Sequence, residues 1–75
     1  MPTYSVRITN SDFETDDEYE HPDLETAKEQ ALKGALQMGA DEVLRGQPFF
    51  GAEVNVAQGG KRRARFVVPV GVSPL

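Results

Sequence analysis

The most informative absence in this sequence of 75 residues is cysteine. Without cysteine, no disulfide can staple the chain and no thiolate can bind a metal or attack a substrate. The chain also has a single histidine, so a zinc site would depend almost entirely on carboxylate ligands, an unusual donor set for zinc. We therefore predict no metal site and no cofactor.

Long apolar stretches are missing as well. No run approaches the roughly 20 residues of a transmembrane helix, and the opening MPTYSVRITN lacks the apolar core of a signal peptide. Together with the missing cysteine, this predicts a cytoplasmic protein that does not bind membranes. The hydrophobic content of 39% is too high for a disordered chain. We expect one domain over residues 1–75, whose small core leaves room for stabilisation by dimerisation.

Two strands are predicted before a helix. Residues 3–9, TYSVRIT, alternate apolar and polar side chains with the period of a half-buried strand. A second strand at residues 16–20 would pair back on the first and place Tyr19 opposite Val6. Its charge is typical of an edge strand, and its solvent side would carry Asp16, Glu18 and Glu20.

One helix is predicted over residues 24–45. Asp23 is a favourable N-cap, and Gly46 is a typical residue just past a helix end. The apolar stripe is centred on small residues: Leu24, Ala27, Ala31, Ala35 and Met38. Larger side chains beside it are expected to seal the gap to the sheet: Leu32, Leu36 and Val43. The stripe breaks after Gly39, which predicts a kink or a second cap near that residue.

The last two strands, residues 50–57 and 63–70, are predicted to form a hairpin around Gly59 and Gly60. A plain two-residue turn would place Val56 opposite Arg63, so that both faces of the hairpin would carry apolar and charged side chains together. A shift by one residue gives consistent pairs: Val56 with Ala64, Val54 with Phe66 and Ala52 with Val68. Because a one-residue slip flips every side chain, this register is strongly favoured, and it requires a longer loop or a β-bulge.

These elements predict an α+β fold of order ββαββ, with one helix on one face of a four-stranded, mainly antiparallel sheet. A right-handed crossover gives the strand order 2-1-3-4, and the order 2-1-4-3 stays open. Pro69 cannot donate to a ladder and so indicates that strand four lies at an edge. The second face of the sheet would then be open to water or to a partner.

The segment DDEYEHPDLETAKEQAL, followed by AEVNV and RFVVPV, resembles a family of small uncharacterised α-proteobacterial proteins, a domain of unknown function. The compact motif is Pro22-Asp23-Leu24-Glu25 with Ala27, while Glu18 and Tyr19 stand where that family often has a glycine turn. A weaker similarity is to HicB-type antitoxin domains, whose glycine-rich segment between strand and helix is absent here. Neither resemblance implies a catalytic residue.

Several residues carry side chains that could take part in chemistry. His21, predicted opposite Tyr4, would be a general base only with Asp23 or Glu20 as orienter, and a strand-end side chain packed near Tyr4 is the favoured interpretation. The serines have no nucleophile motif around them. A run of acids lacks the glycine and final glutamate of a calcium loop: Asp12, Glu14, Asp16, Asp17, Glu18 and Glu20. We predict that the protein is not an enzyme.

The best functional candidate is a basic cluster, in which Lys61, Arg62, Arg63 and Arg65 fall within five positions of a chain with net charge −4. The favoured register places Ala57 beside Arg63 and Asn55 beside Arg65, away from the core. The candidate partner-binding residues are Arg62, Arg63, Arg65, Asn55, Phe49 and Phe50. The first hypothesis is a non-enzymatic interaction module, with a protein partner or a homodimer through the open sheet face or strand four. The alternative is a nucleic-acid-associated or antitoxin-like accessory protein.

Overall fold

The computed structural model describes residues 1–73 and contains five elements. They are β1 (Thr3–Thr9), β2 (Glu14–Glu20), α1 (Leu24–Leu44), β3 (Phe49–Gln58) and β4 (Lys61–Gly71). The strands form one antiparallel sheet in the order β2-β1-β3-β4. This confirms the α+β fold and the first of the two predicted strand orders. Residues 74–75 of the predicted domain lie outside the described residues.

The turn between β1 and β2 is tighter than predicted. The side chain of Asn10 accepts from the backbone N–H groups of Asp12 and Phe13, at 2.7 and 3.0 Å. This Asx-type turn lets β2 begin at Glu14, directly opposite Thr9.

The tight turn also corrects the pairing of β2 with β1. Tyr19 stands opposite Tyr4, whereas Asp17 occupies the position opposite Val6 that was predicted for Tyr19. The shift is two residues, so each β2 side chain keeps the face that was predicted for it.

The core lies between α1 and one face of the sheet. It contains alternate residues of the strands and the small residues of the helix: Tyr4, Val6, Ile8, Phe50, Ala52, Val54, Val56, Val68, Ala27, Ala31 and Ala35. The predicted sealing role of two leucines is wrong, because Leu32 and Leu36 are 40% and 44% exposed. The alanine stripe itself brings the helix close to the sheet, which leaves those larger side chains on the rim.

The helix runs without a break from Leu24 to Leu44. The side chain of Asp23 accepts from the backbone N–H of Thr26 at 2.8 Å and caps the first turn. The predicted second cap near residue 39 is wrong. Gly39 instead lets the helix approach the sheet closely, since a Cβ there would lie 2.6 Å from Val70 Cγ2 and 2.9 Å from Phe50 Cδ2. The helix ends before Gly46, whose φ of +107° favours glycine.

The helix is not centred on the sheet. It packs mainly against β3 and β4 and only slightly against β1. On the helix side, the β1–β2 half is therefore less covered. We call the opposite face of the sheet the open face, because no element of residues 1–73 packs on it.

Candidate functional site

The hairpin that joins β3 to β4 turns on two glycines. Gly59 and Gly60 have φ angles of +58° and +79°, the left-handed values of a two-residue type I′ turn. A register shift lies beside the turn, between Val56 and Ala57. Beyond it the strands take the predicted register: Val56 with Ala64, Val54 with Phe66 and Ala52 with Val68. Of the two predicted routes to this register, a longer loop or a β-bulge, the structure shows the bulge.

The bulge decides which arginine stands on the open face. Arg62 pairs with Ala57, so the predicted pairing of Ala57 with Arg63 is wrong. The extra residue of β4 falls at this point, and sequence alternation does not locate it. Arg63 instead donates from Nη1 to Oε1 of Gln58 at 2.5 Å.

The remaining cations of the hairpin differ in their partners. Arg65 stands opposite Asn55, as predicted, and its Nε donates to Oε1 of Glu53. Among the described residues, neither Lys61 nor Arg62 forms an ion pair with a carboxylate. The basic cluster therefore has two parts. Arg65 is neutralised by Glu53, whereas Lys61 and Arg62 at the hairpin tip are exposed and unpaired within residues 1–73.

The two phenylalanines do not join the basic cluster. Phe50 is a core residue with 4% exposure, and its ring stacks on Phe13 at a centroid distance of 6.3 Å. It offers no surface to a partner. Phe49 is 65% exposed, but it pairs with Gly71 at the end of the sheet opposite the hairpin turn. The arrangement does not provide the aromatic stacking platform that a nucleic-acid site would use.

The opposite edge of the open face is acidic. Only carboxylates line it along β2: Glu14, Asp16, Glu18 and Glu20. Arg7 of β1 contacts two of them, Nη2 to Asp16 Oδ2 at 3.0 Å and Nε to Glu14 Oε1 at 3.2 Å. The hydrogen bond to Asp16, followed by the charges of both carboxylates, raises the pKa of Arg7 above its usual value. Glu18 and Glu20 form no ion pair within residues 1–73.

Strand pairing aligns these charges in rows across the open face. One row runs through Asp16, Arg7, Asn55 and Arg65. The next row runs through Glu18, Ser5, Ala57 and Arg62. Each row has a carboxylate at the β2 edge and a guanidinium group at the β4 edge. Glu53 lies on the same face and pairs with Arg65, so among residues 1–73 the unpaired positive charge at the β4 side is that of Arg62, and Glu18 and Glu20 are unpaired at the β2 side.

His21 lies on the other face, at the end of β2. Its ring lies near Tyr4, with a centroid distance of 6.2 Å, as the packing interpretation predicted. Neither predicted orienter bonds to it, because the carboxylate of Asp23 caps the helix and no hydrogen bond of Glu20 reaches it in the described chain. The arrangement does not assemble a base with an orienting carboxylate.

A metal site and a membrane-spanning helix are two further features to consider in the described part of the chain. No group of three or more histidine, aspartate or glutamate side chains is placed to hold a metal ion there. No helix in residues 1–73 is both long and apolar enough to cross a membrane.

A comparison with protein families matches residues 3–70 to a domain of unknown function (DUF6894). The chain belongs to this family. The match to DUF6894 includes nearly all of β1 through β4, and so both edges of the open face. Comparisons with curated proteins and with solved structures find no match. The α-proteobacterial origin and the similarity to HicB-type antitoxins stay predictions.

Sequence reasoning missed Arg7 as part of this surface. Its position on the polar side of β1 was predicted, but the predicted pairing of β2 did not set it opposite Asp16. The signal that would have found it is Asn10, whose side chain closes the tight turn and thereby fixes the register.

Proposed function

We propose that the protein is a non-enzymatic interaction module that pairs with a second copy of itself across the open face of the sheet. One observation carries this proposal. Within residues 1–73, the β2 edge of the face bears carboxylates only, whereas the β4 edge bears Arg62, which has no ion-pair partner, and Arg65, which is paired with Glu53. A surface of this kind is complementary in charge to a rotated copy of itself.

Symmetry limits how two such faces can meet. A two-fold axis parallel to the strands lays β2 of one copy over β4 of the other. Because Glu18 and Arg62 share a row, this rotation sets Glu18 over Arg62 of the second copy, and the contact occurs twice. An in-plane axis perpendicular to the strands would lay β2 over β2 and bring like charges together. Charge therefore favours the first arrangement.

Pairing through strand four has less support. The backbone N–H of Val72 donates to the carbonyl of Pro48 at 3.0 Å, directly opposite it. In an antiparallel pair, alternate residues direct their backbone N–H and C=O groups toward the partner strand. Because Val72 bonds in this way to Pro48, the residue before β3, the backbone groups of Pro69, three residues earlier, point away from β3. Pro69 therefore removes a donor from the free edge.

The nucleic-acid alternative has less support than self-association. Phosphates would meet the carboxylates of β2 on the same face as Arg62. The hairpin tip has no exposed aromatic side chain beside it, because Phe49 lies at the far end of β3. No enzymatic activity is proposed, since His21 lacks an orienting carboxylate among its hydrogen-bond partners in the described chain.

The test is sedimentation equilibrium of the wild type and of two charge reversals, Glu18→Lys and Arg62→Glu. Neither side chain takes part in an ion pair of residues 1–73, so the fold should tolerate both changes. Each should weaken self-association by about tenfold, since an attraction becomes a repulsion at two contacts. Added salt should weaken the wild-type pair as well.

The control is Glu29→Lys, a charge reversal on the exposed side of α1 that should leave the association constant unchanged. A wild type that stays monomeric at the highest soluble concentration would contradict the proposal. Equal association constants for the wild type and both face variants would also contradict it.

A further inference from the structure

A groove lies between α1 and β2, on the face of the sheet that the helix covers only in part. Its volume is about 230 Å³, and its apolar lining includes Val6 and Ile8 of β1 and Met38 of α1. The β2 wall carries Asp17, Tyr19 and His21. The volume is below the roughly 300–1,000 Å³ of typical small-molecule pockets. The groove therefore fits a single long side chain better than a whole ligand.

The helix wall of the groove contains Gly34, and packing within the described residues does not explain why this position is a glycine. A Cβ on Gly34 would meet nothing within 4 Å, whereas a Cβ on Gly39 would collide with the sheet. Glycine in the interior of a helix is destabilising relative to alanine. Since no contact within residues 1–73 requires glycine at residue 34, the close approach of an external group would account for it.

The charge of the groove points to a cation. Asp17 is the only charged residue of its lining, and it forms no ion pair within residues 1–73. Its neighbours along β2, Asp16 and Glu18, are also acidic. Beside Asp17 on the same wall, Tyr19 is 49% exposed, and its ring lies 6.0 Å from that of His21. A carboxylate next to an exposed tyrosine ring is a favourable environment for a cation.

We propose that this groove binds a lysine or arginine side chain presented by a protein partner. Such a side chain would lay its aliphatic stem on Val6, Ile8 and Met38 and hold its charged head between Asp17 and Tyr19. The site lies on the helix side of the sheet, away from the open face. It is therefore independent of the proposed pairing of two copies, and either can fail without the other.

The probes are N-acetyl-lysine-N-methylamide and its uncharged analogue N-acetyl-norleucine-N-methylamide. Each is titrated into the ¹⁵N-labelled protein while backbone amide shifts are followed. The lysine probe should move the amides of Asp17, Tyr19 and Gly34 and bind at least several-fold more tightly than norleucine. Equal affinity for the two probes, or no groove shifts with lysine at tens of millimolar, would overturn the proposal.

Three variants locate the contact. Asp17→Asn should abolish the preference for lysine over norleucine. Glu18→Gln, which removes the same charge from the neighbouring position on the open face, should keep that preference. Gly34→Ala should raise the thermal midpoint by about 4–8 °C, because helix propensity improves without a clash, yet weaken the lysine probe several-fold. Lysine preference retained in Asp17→Asn, or undiminished binding in the stabilised Gly34→Ala, would refute the assignment.

Discussion

The two faces of the sheet differ in character: one is apolar and covered by the helix, and the other is exposed and charged. The helix-covered face buries Val54 and Val56 completely, and the small residues Ala31, Ala35 and Gly39 of α1 let the helix approach it closely. The open face of the same strands carries rows that begin with a carboxylate and end with a guanidinium group. One face thus forms the core, while the other bears charged side chains, among which Glu18 and Arg62 form no ion pair within residues 1–73. A surface of the second kind is where binding is expected.

The largest expected effect compares two adjacent phenylalanines of β3. Phe50→Ala should destabilise the protein by about 3–5 kcal/mol, because it empties a buried site beneath Gly39 of the helix. Phe49→Ala removes an exposed ring on the open face and should change the free energy of unfolding by about 0.5 kcal/mol or less. Urea denaturation of both variants measures the difference. Similar losses at the two positions would show that the division between the faces is wrong.

A smaller effect separates the two glycines inside the helix. Gly39→Ala should destabilise by a net of about 1–2 kcal/mol, since overpacking against Val70 exceeds the gain in helix propensity. Gly34→Ala meets open space and should stabilise by about 1 kcal/mol. Thermal unfolding of the pair tests whether α1 lies over β3 and β4. Changes of the same sign in both variants would place the helix elsewhere.

The smallest effect concerns the helix start, whose cap is independent of both faces. The hydrogen bond from the backbone N–H of Thr26 lowers the pKa of Asp23. The stabilisation by this carboxylate should therefore be complete above the pKa of an unfolded aspartate, about 3.9, and be lost as the pH falls through the lower folded value. Thermal midpoints of the wild type should approach those of Asp23→Asn on acidification. A difference in thermal midpoint between the wild type and Asp23→Asn that does not change with pH would contradict the capping role of the Asp23 carboxylate.

Much of the fold could be predicted because the alternation in β1, β3 and β4 is strong. In the hairpin, the apolar residues Val54, Val56 and Phe66 leave one register that keeps them together. The start of the helix was equally clear from Asp23. Each of these elements has a regular hydrophobic periodicity and is bounded by a turn or cap residue of known preference. The local sequence preferences therefore agree with the packing of the whole fold.

The register of β2 was beyond the same reasoning. A shift of two residues preserves every face, so the alternation cannot tell Tyr19 opposite Val6 from Tyr19 opposite Tyr4. Only the turn at Asn10 distinguishes them. The bulge that places Arg62 instead of Arg63 opposite Ala57 could not be predicted either. Two arginines in succession have the same polarity, so the alternation of apolar and polar residues does not show which of them is the extra residue. The off-centre helix depends on close packing at Gly39, which a helical wheel does not show.

The most direct test of the central claim is to mix Glu18→Lys with Arg62→Glu and measure the association by sedimentation velocity. Each variant alone opposes like charges at both contacts. In the mixed pair, Lys and Arg of the first chain would each face a glutamate of the second, so both contacts become attractive again. The account predicts weak self-association of each variant and recovery in the mixture, with loss of that recovery at high salt. A mixture that associates no better than its separate components would contradict it.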